Sequence, residues 1–228
     1  MATVSHMAHD PAPTDGTRTS SAHWESVYRN KDAIERSWTE STADASSELI
    51  ASSGIAFTAP IVDVGGGASP LARDLVVRGH RDITVVDISE SALAEARTTI
   101  DRVVDDGTAD PTGAVHWITA DVRTWSPPRR YVLWHDRAVF HFMVTDHDRE
   151  DYLRALHRGT DRGSFLVIST FGPEGPESCS GLPVRRWSAV QLEGLLGPTF
   201  APLEAFARVH TTPWGNEQIF THALFERR

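Results

Sequence analysis

Asp63-Val64-Gly65-Gly66-Gly67-Ala68-Ser69 sets a carboxylate two residues ahead of three glycines. Glycines let a backbone approach a ligand closely and turn through positive φ. Asp87, in Val85-Val86-Asp87-Ile88, can accept from both hydroxyls of a ribose. Asp121, in Thr119-Ala120-Asp121-Val122, can accept from an exocyclic amine. One such acid alone would read as a helix cap or a solvated side chain; three in successive segments beside a glycine turn describe a binding site. Further on, Trp134-His135-Asp136-Arg137-Ala138-Val139-Phe140-His141 gathers groups for acid-base work, with His135, His141 and Asp136 as candidate bases and His210 as another. Arg137 can stabilise a thiolate or bind a carboxylate. Cys179 has no visible activator and reads as a small packing residue.

These residues need a scaffold that brings strand ends together. Short apolar runs at 61–64, 83–87, 115–119, 131–134 and 164–168 read as strands. Helical patterns at 70–78, 89–104 and 149–157 separate several of them, and another covers 188–196. Strands alternating with helices indicate an α/β fold with a parallel sheet covered on both faces. Segments 203–210 and 218–225, joined by a turn region, predict a final antiparallel hairpin. In such a sheet ligands sit at the carboxyl ends of the strands. Residues 1–21 have almost no apolar periodicity and read as a disordered leader; 22–228 read as a single domain whose first stretch, about 22–53, is a helical lid.

The 228 residues carry 22 Lys plus Arg against 31 Asp plus Glu, a net charge of −9. That balance disfavours nucleic acid as a partner, because phosphate backbones are bound through Lys and Arg. One cysteine can form neither an internal disulfide nor a multi-cysteine metal site. No apolar run approaches a membrane span and no cationic start precedes one, so the expectation is a cytoplasmic protein, monomer or homodimer, with no membrane partner.

The chain resembles the class I S-adenosylmethionine-dependent methyltransferases. Their acid-then-alternate-glycine pattern is met by Asp63, Gly65 and Gly67, with Ser69 in place of the last glycine. The resemblance spans residues 22–228 and implies a Rossmann-like seven-stranded sheet with S-adenosyl-L-methionine as cofactor. It places the methionine moiety against 65–67, the ribose on Asp87 and the adenine near Ile88, Asp121 and Val122, with His135 also on the cofactor side. A nicotinamide dinucleotide is disfavoured, because Pro70 stands where a third glycine should be and Asp63 would face the pyrophosphate. Ser126-Pro127-Pro128-Arg129 precedes the fourth strand and reads as a connector, not as a catalytic motif.

A narrower resemblance rests on Trp134-x-Asp136-Arg137 with Asp148-Arg149-x-x-Tyr152, which is similar to thiopurine methyltransferase and its thiol, halide and tellurite relatives. It implies Trp24 and Tyr28 packed on the cofactor, Trp38 over the acceptor and Arg137 between the two. Asp136, Arg137 and His141 are the residues expected at the chemistry, and Trp38, Arg137, Phe140 and His210 those expected on a small-molecule acceptor with a soft nucleophile. The same segment is also similar to the elongation-factor lysine methyltransferases, so a protein lysine N-methyltransferase is the alternative.

Overall fold

The computed structural model describes residues 20–109 and 114–228, so the expected leader lies, but for its last two residues, outside the described residues. Helices α1 (Ser21–Asn30) and α2 (Asp44–Ser52) lead into β1 (Ile61–Val64), α3 (Leu71–Val77), β2 (Asp82–Asp87), α4 (Glu90–Asp105) and β3 (Ala114–Thr119). Then come β4 (Leu133–Arg137), α5 (Asp146–Gly159), β5 (Phe165–Phe171), a small hairpin of β6 (Ser178–Cys179) and β7 (Leu182–Pro183), α6 (Ala189–Leu196), β8 (Phe200–Thr211) and β9 (Glu217–Arg227). Serine or threonine hydroxyls of Ser20, Ser89, Thr145 and Ser188 accept from the first turns of α1, α4, α5 and α6, which is why these helices begin where they do.

Seven strands form one sheet in the order β3-β2-β1-β4-β5-β9-β8. The first five are parallel, β9 runs antiparallel to β5, and β8 pairs antiparallel with β9. This is the expected Rossmann-like sheet with its terminal hairpin. The chain leaves β1 toward β2 on one side and returns to β4 on the other, and that reversal opens a crevice at the strands' carboxyl ends. Alternation along β1 and β4 divides the core: Ile61 and Leu133 face a layer with Leu49, Leu71 and Leu93, while Val62 and Trp134 face one with Tyr152, Leu156 and Phe171. None of the helices among the described residues is long and apolar enough to cross a membrane.

The fourth strand was expected over 131–134 and runs Leu133–Arg137, because His135 and Asp136 find partners inside the fold and the ladder continues through them. Segment 178–183 folds into a hairpin whose two turn residues, Ser180 and Gly181, both hold positive φ. Positive φ at both positions is the turn geometry that suits a tight two-residue hairpin.

Candidate active site

A cavity with about 760 Å³ of empty space, its mouth included, opens at the carboxyl ends of β1, β2, β3 and β4. Trp24, Tyr28, Trp38, Gly65, Asp87, Ile88, Asp121, Val122 and Arg137, all singled out in the sequence, line it. Its floor is the turn after β1. Gly65 holds φ +68° there, and a Cβ on it would stand 2.0 Å from Val139 Cγ2. A Cβ on Gly66 would stand 2.2 Å from Asp63 Oδ2, and one on Gly67 2.5 Å from the Ala92 Cβ. Space as well as φ therefore demands glycine.

Asp87 closes β2 with its carboxylate turned back on that floor. Its Oδ2 accepts from Gly67 N–H at 3.0 Å and its Oδ1 from Ser89 N–H at 2.9 Å. Burial pushes its pKa up to about 6 against those hydrogen bonds, with Asp63 adding like-charge repulsion. Each carboxylate oxygen keeps a second lone pair for a donor in the cavity. Asp121 is gripped by Arg123, whose Nη2 lies 2.6 Å from Oδ2. The Arg123 guanidinium also reaches Asp148 at 3.3 Å, which fixes the loop after β3 against α5.

Trp24, Tyr28, Trp38 and Phe142 roof the cavity, meeting at tilted or edge-on angles with ring centroids 5.2–6.5 Å apart. Trp38 Nε1 donates to the Tyr28 hydroxyl at 3.2 Å. The roof is latched by Glu25 of α1, whose carboxylate accepts from Ser89 Oγ at 2.7 Å, Ser91 Oγ at 2.5 Å and Ser91 N–H at 3.2 Å. Those donors sit at the N-terminus of α4, where a negative charge is favoured, and they hold the Glu25 pKa down at about 2. Glu25→Ala removes the latch and is expected to weaken S-adenosylhomocysteine binding about fivefold, roughly 1 kcal/mol, with little change in melting temperature. Equal affinities of variant and parent in a titration would show that the latch plays no part in binding.

The opposite end is built around Arg137, the last residue of β4. Its Nη2 donates to Glu40 Oε1 at 2.6 Å, its Nη1 to the Trp38 carbonyl at 3.1 Å, and its guanidinium lies 4.9 Å from the centre of the Phe220 ring. Burial raises the Glu40 pKa, and Arg137 opposes that shift. Cys179 of the small hairpin lines the cavity beside Arg137, and burial pushes its thiol up to about 11. Ala138 follows Arg137 with φ +67°, an unusual angle for a non-glycine residue, and turns the chain at the cavity wall.

With this geometry in place, likeness to known proteins becomes informative. A family model described as a methyltransferase domain matches residues 61–163, the stretch that holds the glycine turn, Asp87, Asp121 and Arg137. The protein is an S-adenosylmethionine-dependent methyltransferase. Its fold is also that of 1,6-didemethyltoxoflavin-N1-methyltransferase of Burkholderia thailandensis, at TM-score 0.65 and 19% identity over 97% of this chain and 93% of that one. The N-methyltransferase NodS of Bradyrhizobium japonicum WM9 matches at TM-score 0.66 and 13% identity, over 90% and 98%. Magnesium protoporphyrin IX methyltransferase of Synechocystis PCC 6803 matches at 0.64 and 15%, over 94% and 92%. At such identities the likeness shows the fold alone. No curated protein matches the chain.

Several sequence candidates lie elsewhere in the methyltransferase. Asp136, expected at the chemistry, is fully buried on the Trp134 side of the sheet, where it accepts from the Tyr152 hydroxyl at 2.7 Å and from the Val139 and Phe140 N–H groups. It fixes the turn after β4. Phe140, expected on the acceptor, packs against Tyr152 and Trp187. His210 does not line the cavity; its Nε2 donates to the Ser37 carbonyl at 2.6 Å and so holds the segment that carries Trp38. Asp63 and Gly67 lie behind the lining, and His135 is buried against Asp63. Cys179 and Arg123 line the cavity, although the sequence marked the first only as packing and the second not at all.

His141, expected as a catalytic base, stacks on Phe171 with centroids 4.5 Å apart, and neither ring nitrogen has a hydrogen-bond partner among the described residues. Burial, with Arg137 helping, pulls its pKa down to about 3 from 6.5. A histidine lowered on folding contributes stability above its unfolded pKa and loses it as pH falls below 6.5. His141→Phe is therefore expected to retain activity and to gain roughly 2 kcal/mol of stability at about pH 5, but little at neutral pH. Loss of turnover with an unchanged melting curve would restore the catalytic role.

Proposed function

We propose that the enzyme methylates a small molecule with a soft nucleophile, such as a thiol, in the aromatic-roofed cavity. The observation that carries this reading is the convergence of the glycine turn, Asp87 and Asp121 from three successive strand ends on one cavity whose far end is Arg137. The residues fit S-adenosylmethionine: the turn is a cradle that side chains at 65–67 would fill, and Asp63 Oδ2 is a buried oxygen with no hydrogen-bond partner among the described residues. Asp87 would take the ribose hydroxyls, Ile88, Asp121 and Val122 the adenine, and the floor with Asp63 the amino-acid end. When bound, the cofactor supplies an electrophilic methyl on a sulfonium. Trp24 and Tyr28 would cover it, with residues 22–228 acting as one domain and the N-terminal helices as its lid.

Such a transfer depends on holding donor and acceptor in line, and positioning of this kind lowers a barrier by several kcal/mol, about 7–11 in the best intramolecular cases. The acceptor end supports a nucleophile that needs no base. His135, His141 and His210 are all absent from the lining, while Arg137 can stabilise a thiolate. An alcohol or an ammonium would need a proton acceptor there. The 1,6-didemethyltoxoflavin-N1-methyltransferase, solved with 1,6-didemethyltoxoflavin bound, supports a small acceptor by analogy.

The test uses methyl-labelled S-adenosylmethionine with a panel of thiols, phenols and amines, and in parallel a cell extract separated into protein and small-molecule fractions. Label on a thiol is the expected result. Label confined to a protein lysine would overturn the small-molecule reading in favour of a protein lysine N-methyltransferase.

A further inference from the structure

We infer that Ser46 and His135 are positioning residues of the cofactor site: they hold the Asp63 carboxylate, through a buried hydrogen-bond relay, against the glycine turn for the cofactor's ammonium group. The inference rests on the reading of the cavity as the S-adenosylmethionine site. Asp63 and His135 are direct neighbours across β1 and β4, so their side chains leave the sheet on the same face. His135 Nδ1 lies 2.7 Å from Asp63 Oδ1, and His135 Nε2 lies 2.8 Å from Ser46 Oγ on α2. An ionised carboxylate only accepts, so the proton of this bond sits on Nδ1, and Nε2 is left to accept from the Ser46 hydroxyl. All three side chains are at most 1% exposed.

The order Ser-His-Asp is that of a nucleophilic relay, but Ser46 reaches neither solvent nor the cavity lining and has nothing to attack. What the relay holds is the other carboxylate oxygen, directly behind Gly66 of the cavity floor. Asp63 Oδ2 is buried and has no hydrogen-bond partner among the described residues, and it occupies the space that a side chain on Gly66 would fill, 2.2 Å from that Cβ position. A buried carboxylate oxygen with an open lone pair calls for a donor, preferably a cationic one. In S-adenosylmethionine the cationic donor is the ammonium of the methionine portion, the part that the glycine turn would receive. His135 occupies one oxygen and fixes the carboxylate plane; Ser46 fixes the ring. Because α2 belongs to the lid segment, the relay also ties seating of the lid to the posture of Asp63.

The experiment titrates the full chain calorimetrically with S-adenosylhomocysteine and with 5′-methylthioadenosine, which shares the adenine and ribose but has no ammonium. His135→Phe keeps a planar aromatic ring at the site and removes both hydrogen bonds. It is expected to weaken S-adenosylhomocysteine about tenfold or more and to leave 5′-methylthioadenosine within about twofold. His135→Asn can still donate to Asp63 and is expected to recover most of the loss. Ser46→Ala, which removes one buried hydroxyl and keeps the fold, is expected to weaken S-adenosylhomocysteine alone, by about threefold to fivefold. Equal weakening of both ligands would mean that the relay merely supports the fold, and unchanged affinity for S-adenosylhomocysteine would mean that it does nothing; either overturns the proposal. A parent protein that binds neither ligand would instead refute the reading of the cavity itself.

Discussion

Gly67→Ala is expected to lower affinity for S-adenosylhomocysteine by one to two orders of magnitude while the protein stays folded. The added Cβ would meet the Ala92 Cβ at 2.5 Å and Asp87 Oδ2 at 2.6 Å, both well inside contact distance. Overpacking of this kind costs about 1–3 kcal/mol. The strain also falls on the Gly67 N–H that donates to Asp87, so the turn and the ribose carboxylate are displaced together. The matched control is Gly194→Ala in α6, where a Cβ meets nothing within 4 Å. There the gain in helix propensity should stabilise the fold by about 0.5–1 kcal/mol and leave binding untouched. Parent-like affinity in the Gly67 variant would remove the glycine turn from the binding site.

Asp87→Ala is the second large effect, an expected loss of roughly 1.5–3 kcal/mol, or about 10- to 150-fold in affinity, the worth of hydrogen bonds to a charged group. Its pH dependence separates binding from folding. Burial raises the Asp87 pKa from 3.8 to about 6, so the ionised form is the one disfavoured by folding. The stability it contributes is fully present below 3.8 and is lost as pH rises through about 6. Ribose hydroxyls need the ionised acceptor, so parent affinity should fall as pH drops below about 6, by up to about tenfold per unit. Asp136 also sits at about 6, raised mainly by burial, but it lies on the far side of the sheet. In Asp87→Asn that group still titrates while the first does not, and a flat affinity profile is expected. A profile in the Asn variant that keeps the parent's slope would assign the pH dependence to Asp136 and remove Asp87 from the ribose site.

The sheet and the cavity floor were legible because their signals are local. Strand ends at Asp87 and Asp121 stand out in the sequence, and so does the glycine run after Asp63, since each combines an apolar run with an abrupt polar stop. The stretch from His135 to His141 defeated the same method. Its five candidates lie close together in sequence, yet period-two alternation sends His135 and Asp136 to opposite faces of the sheet. The tight turn after them then buries Phe140 and His141 among aromatic rings, and only Arg137 faces the cavity. That alternation could be read from the sequence once the strand was known to reach residue 137, but apolar pattern alone ended it at 134.

The order of the elements, the parallel sheet with its final hairpin, and the acids and glycines where that sheet meets a ligand all follow from local sequence pattern. Contacts between distant segments were decided only in three dimensions. Glu40 beside Arg137, Cys179 in the wall, Glu25 on the start of α4, and Ser46 behind His135 each join residues at least 42 positions apart, and no local propensity encodes such pairings. They are set by which faces bury together, and burial is also what turned a histidine chosen as a base into a neutral core ring.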